Sequence, residues 1–345
     1  MKSTLVYISA LAVLSACSSV KEIGIQTYKP AAVTFPSSVQ KVLVLNNAVP
    51  QGPDEAYQVV VPEGYKKNKP AVADSALLKA GLSLAESLAN RSFFKDVRIY
   101  EGPFRKDTAS MLTPKLTPEE VNTLCVANGT DAIITLSQLR FSQTKAVINP
   151  EGFYYIGDID LKMSGLLRVY LPDRETPLAA IYLKDSLQWE ETGQSPKELE
   201  YYLPSPTEAM VYGMDYLLDK TTSNFVPYWE DEVRWYYTGQ GRHWKKGAAY
   251  AASHKWIEAE QEWEGLYKAS KEWKGQARAA SNLALAKEMQ GAFSLAFDWA
   301  YKAYNLYKEN EGVESKDVQL MKIYATSLRM RMQENKKLSM QLKDK

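Results

Sequence analysis

The sequence predicts an α+β protein: an N-terminal mixed α/β sandwich-type domain followed by an all-α helical tail. Three observations carry this. Between residues 40 and 229, apolar runs of strand length alternate with segments of helical period. Seven of the eight tryptophans lie after residue 225, where the strand-like runs stop. Between the two regions, Thr238-Gly239-Gln240-Gly241 reads as a linker. The expected organisation is residues 1–16 as an export signal, 17–39 as a tether, 40–237 as the α/β domain and 242–345 as the helical tail.

The N-terminus justifies the first two assignments. Met1-Lys2 gives a short cationic start, Leu5 to Leu14 is an apolar run, and Leu14-Ser15-Ala16-Cys17 has the form of a bacterial lipobox. The run is shorter than the roughly 20 apolar residues that span a bilayer. Cleavage before Cys17 would leave that cysteine as the first residue, carrying acyl chains such as palmitate. Each buried methylene contributes about 0.8 kcal/mol, so two or three chains anchor a protein without help from its surface. Ser18 to Pro36, with two prolines and no sustained period, is expected to be an unstructured tether.

The domain elements follow in order. Gln40 to Asn46 is a continuous apolar strand of the kind buried on both faces. Val49 to Lys69 is a loop, with a short extended piece at Gln58 to Val61. Asp74 opens a helix with Leu77, Leu84 and Leu88 at helical spacing, and Asp96 to Tyr100 is a short strand. Thr117-Pro118-Glu119-Glu120 has the residues of a capping box, and Gly129 suits the left-handed position that ends a helix. Asp131 enters a strand reaching Phe141. Asp158 to Leu171 and Leu178 to Glu190 form a hairpin across Pro172 to Thr176. A helix begins at Thr207, and Phe225 to Trp229 closes the domain.

In the tail, Lys246-Gly247, Tyr250, Ala259, Trp263 and Leu266 have the spacing of one tetratricopeptide-type repeat. Leu283-Ala284, Gly291, Ala296, Ala300 and Ala303 give a second, although Lys287 stands where an aromatic is expected and no proline ends either repeat. Ser315 to Lys343 reads as one amphipathic capping helix with Leu320, Ile323, Tyr324 and Leu328 on one face.

Chemistry is sparse. With 42 basic and 41 acidic residues the chain is near neutral, so its overall charge favours neither nucleic acid nor anionic lipid. Its only histidines, His243 and His254, lack ligand partners at metal spacing, and there is no Gly-rich phosphate loop or nucleophile elbow. Asp158 and Asp160 are the best carboxylate pair, but two apart on a strand they read as a solvated face. With Cys17 lipidated, Cys125 has no partner and reads as a small core residue. No enzyme activity, metal or cofactor is expected. Asp107-Thr108-Ala109 matches an Asp-Ser/Thr-apolar glycosylation pattern, which makes Thr108 a candidate O-glycan acceptor. Trp244, Tyr250 and Trp263 are the candidate interaction surface of the tail.

The helix, glycine and strand entry at Gly129-Thr130-Asp131-Ala132-Ile133-Ile134 resembles the small α/β domain of envelope lipoproteins related to the curli secretion lipoprotein and to the N-terminal domain of the Tol-associated propeller protein. With its helical tail the chain resembles Bacteroidota-type lipoproteins of unknown function. That resemblance implies a location and a fold: a lipid-anchored protein of the cell envelope, at the outer membrane. The expected role is a non-enzymatic scaffold that engages a protein partner through the helical tail. The alternative is a surface glycan- or nutrient-binding lipoprotein working with an outer-membrane transporter, suggested by the clusters Phe153-Tyr154-Tyr155, Tyr201-Tyr202 and Trp235-Tyr236-Tyr237.

Overall fold

The computed structural model describes residues 20–52, 57–60, 66–69, 74–150 and 152–343. The export signal and Cys17 lie outside the described residues. The elements run β1 (Val20–Lys29), β2 (Lys41–Asn46), β3 (Tyr57–Val60), β4 (Lys66–Lys69), α1 (Asp74–Asn90), β5 (Asp96–Ile99), α2 (Pro118–Asn128), β6 (Ala132–Ile148), β7 (Tyr155–Tyr170), β8 (Ala179–Gly193), α3 (Pro196–Tyr202), α4 (Pro206–Thr221) and β9 (Tyr228–Tyr237). Helices α5 (Arg242–Ala252), α6 (Trp256–Ala269), α7 (Trp273–Met289), α8 (Phe293–Glu311) and α9 (Lys316–Gln341) complete the chain. The class is α+β, as expected. No helix among the described residues is long and apolar enough to cross a membrane.

The chain forms two compact units. One, the sheet unit, comprises Ala31–Pro227 with Met340–Lys345. The other, the helical unit, joins the segment ending at Pro30 to Tyr228–Ser339.

The sheet unit is built on β6. Its first half pairs in parallel with β2, its second half in parallel with β3, and its other edge runs antiparallel to β7, which pairs with β8. Helices α1 and α4 cover one face. Val42, Val44, Ile134 and Leu167 pack there against Leu77, Leu84, Met210 and Met214. On the other face Leu43, Leu45 and Ile133 meet Val121, Leu124 and Cys125 of α2. Strand β2 therefore buries both sets of side chains, which is why its sequence is continuously apolar. The cap of α2 forms as its residues dictate. Thr117 accepts from the Glu120 amide, Glu120 accepts from the Thr117 amide, and Gly129 adopts φ 59°. Asp131 explains part of the glycine-to-strand motif: its carboxylate accepts the backbone amides of Gln40 and Lys41, both at 2.8 Å, and so fixes where β2 starts beside β6.

One expectation is corrected here. Residues 17–39 are not simply a tether, because residues 20–29 form β1, paired antiparallel with β9 from Val20 opposite Tyr237 to Lys29 opposite Tyr228. Ile23, Ile25 and Thr27 alternate with Gly24 and Gln26, and this period of two is what a strand with one buried face requires. The compact units divide ten residues before the expected domain end at 237, because strand β9 packs with the helices.

In the helical unit, consecutive helices pack on one another in chain order, α5 on α6, α6 on α7 and α7 on α8. The expected small residues mark close approaches: Ala259 and Ala296 are fully buried, and Gly247 lies against the Trp263 indole. Lys287, the departure from the repeat pattern, pairs with Glu260 at 2.6 Å across α6 and α7. Helix α9 buries Val318, Met321, Tyr324, Ala325 and Leu328. Ile323, expected on that face, points to solvent at 66 % exposure, because two positions past Met321 turn it about 200° around the helix.

Candidate functional site

Helix α8 carries a repeating pair, a small residue followed by a ring: Ala296-Phe297, Ala300-Tyr301 and Ala303-Tyr304. The alanines face the core and are fully buried. The rings are therefore displaced by about 100° around the helix onto its edge. Phe297 and Tyr301 stack at 5.9 Å with planes 13° apart, and Tyr301 and Tyr304 at 5.8 Å and 26°. Lys308 closes the row, its ammonium 5.8 Å from the Tyr304 ring centre. Opposite, α9 presents Lys322, Ala325, Thr326 and Arg329, spaced to share one helical face. Between them lies an open groove of about 280 Å³.

The groove has an apolar floor of coplanar rings and a cationic rim. Among the described residues, neither Lys322 nor Arg329 is ion-paired, and no carboxylate, cysteine or histidine lines the cavity. It suits an extended anionic segment with apolar side chains, where cations on the rim give orientation and steering.

A buried ion chain holds the framework behind the groove. Glu288 of α7 is fully buried and takes Arg234 of β9 through Nε at 3.0 Å and Nη2 at 2.9 Å, Arg331 of α9 at 2.6 Å, and the Tyr324 hydroxyl at 2.8 Å. Arg234 also pairs with Glu232 at 2.6 Å, Glu232 with Lys29 at 2.8 Å, and Lys29 with Glu334 at 3.2 Å. Three cations thus alternate with three carboxylates. Burial alone would push the Glu232 carboxyl up, but hydrogen bonds from Lys29, Thr27 and Arg234 outweigh it and hold the group down at about 2. Burial, reinforced by the neighbouring Glu288, pushes the Tyr324 hydroxyl far above the usual phenol range.

The residues expected at the site are scattered or enclosed. Trp263 is fully buried, wedged against Gly247 and near the Tyr236 ring, so it cannot belong to an interaction surface. It fills the space a glycine leaves between α5 and α6. Tyr250 is half-buried in the same cluster, and Trp244 is half-buried beneath Gly239. Thr108 is exposed in the loop between β5 and α2, where Arg105 bridges Asp107 at 2.6 Å and pulls its carboxyl below the usual range. Asp158 accepts from Gln188 and Asp160 pairs with Lys162, while Ile159, Leu161 and Met163 are buried on the opposite face. His243 lies 2.6 Å from Glu262, and no group of metal-ligating side chains exists among the described residues. Cys125 is buried, and burial raises its thiol. Of the aromatic clusters, Tyr236 and Tyr237 pack inside, whereas Phe153, Tyr201 and Tyr202 are exposed.

The α8 rings were legible as spacing 297, 301 and 304, but the repeat pattern draws attention to the alanines beside them. The ion chain had no sequence signal, since its members come from four elements.

A family model described as "Domain of unknown function (DUF8603)" matches residues 39–237, more than half of the chain. A second, "Domain of unknown function (DUF6340)", matches residues 245–330. No curated protein matches the chain. Among solved structures it is similar to a PelC variant, a dodecamer, from Paraburkholderia phytofirmans (10 % identity, 59 % of this chain and 97 % of that one, TM-score 0.24). A putative neuraminyllactose-binding hemagglutinin homolog from Helicobacter pylori is similar too (11 %, 58 % and 89 %, 0.27). So is a minor lipoprotein from Acinetobacter baumannii (9 %, 55 % and 97 %, 0.22). With scores this low, none of them bears on the fold or the role of this chain.

Proposed function

We propose a role for this chain from the premise that it belongs to the DUF8603 family, whose description states no function. The reading is a non-enzymatic, lipid-anchored lipoprotein of the cell envelope, at the outer membrane, that works as a protein-interaction scaffold. Cys17 carries the lipid, and the tetratricopeptide-like helical unit carries the partner. The observation behind the second part is the α8–α9 groove, where a stacked row of three rings faces Lys322 and Arg329 with no acid between them. The partner chemistry that fits is an extended acidic peptide with aromatic or aliphatic side chains, supplied by another envelope protein.

The experiment is anisotropy of a labelled peptide of alternating glutamate and leucine, titrated with the protein at low and high salt. Binding that weakens with salt, and at least tenfold in Lys322→Glu/Arg329→Glu, supports the reading. Equal binding by wild type and variant removes the groove from it. The location is tested separately by protease shaving of intact and opened cells, with Cys17→Ala as the control for anchoring.

A second reading, the surface glycan- or nutrient-binding lipoprotein that serves an outer-membrane transporter, draws on Phe153 at 82 % and Tyr201 at 81 % exposure. Exposed rings offer faces on which sugars stack. A glycan array without a hit, or hits unaffected by Phe153→Ala/Tyr201→Ala, would end it.

A further inference from the structure

We infer that the exposed face of α5 is a docking surface for anionic phospholipid headgroups of the bilayer that holds the Cys17 lipid. The inference rests on that lipid anchor. Its structural basis is β1. Only Ser18 and Ser19 separate Cys17 from Val20, the first residue of the strand. A chain spans at most about 3.6 Å per residue, so an acylated Cys17 holds Val20 within about 11 Å of the lipid's point of attachment. The helical unit is thereby kept at the membrane surface instead of being hung away from it.

The register then says which end faces the bilayer. Val20 pairs with Tyr237, the last residue of β9, and the chain passes from there through four residues into α5. Helix α5 begins Arg242-His243-Trp244-Lys245-Lys246. Arg242, Lys245, Lys246 and Ala249 are all exposed, at the spacing of one helical face, while Gly247, Ala248 and Ala251 are buried on the other. Glu262 engages His243 at 2.6 Å and Lys246 at 3.8 Å. Arg242 and Lys245 form no ion pair among the described residues. Lys21 adds a further cation at the same end of the ribbon, next to Glu22, and on α6 Glu264 is taken up by Lys268.

These cations sit against their local electrostatics. The first turn of α5 has no acidic residue, and its amino end is the positive pole of the helix. Glu262 faces His243, whereas Arg242 at that pole works against helix stability and no carboxylate among the described residues pairs with it. A basic stripe is drawn to an anionic leaflet when it lies within a Debye length of roughly 8 Å. The apolar side of α5 is used up by Trp263 and its neighbours, so the contact is electrostatic and the helix does not insert.

The test uses the full lipidated chain carrying Ala249→Cys with a fluorophore at that position. Cys17 is acylated and Cys125 is buried, so the label goes to one site. The protein is placed in phosphatidylcholine vesicles, with or without about one quarter phosphatidylglycerol, containing headgroup nitroxide quenchers. The expected result is quenching at least threefold stronger with phosphatidylglycerol, abolished in molar salt and in Arg242→Glu/Lys245→Glu/Lys246→Glu. That variant replaces exposed residues with ones favoured at a helix start, and an unchanged thermal midpoint confirms its fold. Equal quenching in both lipids, or quenching unchanged by the variant, overturns the docking surface. Flotation of the same samples separates the two ideas. If wild type floats with vesicles and Cys17→Ser does not, the anchor stands whatever the label reports. If wild type fails to float, the anchor falls and the docking surface falls with it.

Discussion

With Glu288 removed, Arg234 and Arg331 would face each other in a buried site with no shared counter-charge. Glu288→Ala is therefore expected to destabilise the protein by about 3–5 kcal/mol, read as a lower denaturant midpoint. Glu232 gives the matching dependence on pH. Its carboxyl is held at about 2 in the folded protein, against an ordinary value of 4.5. A depressed carboxylate contributes stability above its unfolded pKa and loses it as pH falls through the folded one, so this contribution disappears between about pH 4.5 and pH 2. Discounted for solvent screening it is on the order of 1–2 kcal/mol. The thermal midpoints of wild type and Glu232→Gln should differ at neutral pH and converge near pH 2. Midpoints that stay parallel down to that pH would contradict the assignment.

The elements differ in how openly the sequence announces them. Helix α2 was legible because Thr117, Pro118, Glu120 and Gly129 each have one local job, and strand β2 because both of its faces are apolar. Strand β9 was missed because its polarity is inverted. Glu232, Arg234 and Tyr236 point inward, and Val233 and Trp229 point out at 62 % and 64 % exposure. Charged side chains read as a solvated face unless their buried partners are known, and those partners lie on β1, α7 and α9. Strand β1 was missed for a related reason: a ten-residue strand running into Pro30 and Pro36 resembles a spacer until its mate appears some two hundred residues later. The candidate site was half legible. Small residues at helical spacing located the close helix contacts but directed attention to Trp263, which fills one of them. Gly247→Ala tests that packing. An added Cβ would lie 2.7 Å from Trp263 Cδ1, and the indole has nowhere to retreat. A loss of about 1–3 kcal/mol with altered tryptophan fluorescence is expected. Gly24→Ala, where nothing lies within 4 Å, should cost little by comparison.

At the scale of the molecule, the sheet unit interrupts the helical unit in sequence. The helical unit leaves off at Pro30 and resumes at Tyr228. Because Lys29 pairs with Tyr228, the two broken ends are neighbours across an antiparallel ribbon. Deleting residues 30–227 and joining Lys29 to Tyr228 through Asn-Gly should convert the ribbon into an ordinary hairpin. The shortened chain is expected to unfold cooperatively and to retain the Lys29–Glu232 pair, measured by calorimetry and by the effect of Lys29→Met. Non-cooperative melting would show that the helical unit depends on the insertion for more than chain continuity.

The ribbon also imposes an order in time. In N-to-C-terminal order β1 emerges first, and its mate follows only after residues 31–227 of the sheet unit. Through that interval β1 lacks its strand partner, and Lys29 waits for all three of its carboxylates, Glu230, Glu232 and Glu334. Under the proposed lipid attachment, the enzyme that cleaves and acylates at Cys17 would meet β1 before its mate has been made. Pairing of Val20 with Tyr237 must wait for β9, so on the proposed reading the same ribbon that holds the helical unit beside its anchor also marks when that end of the chain closes to processing.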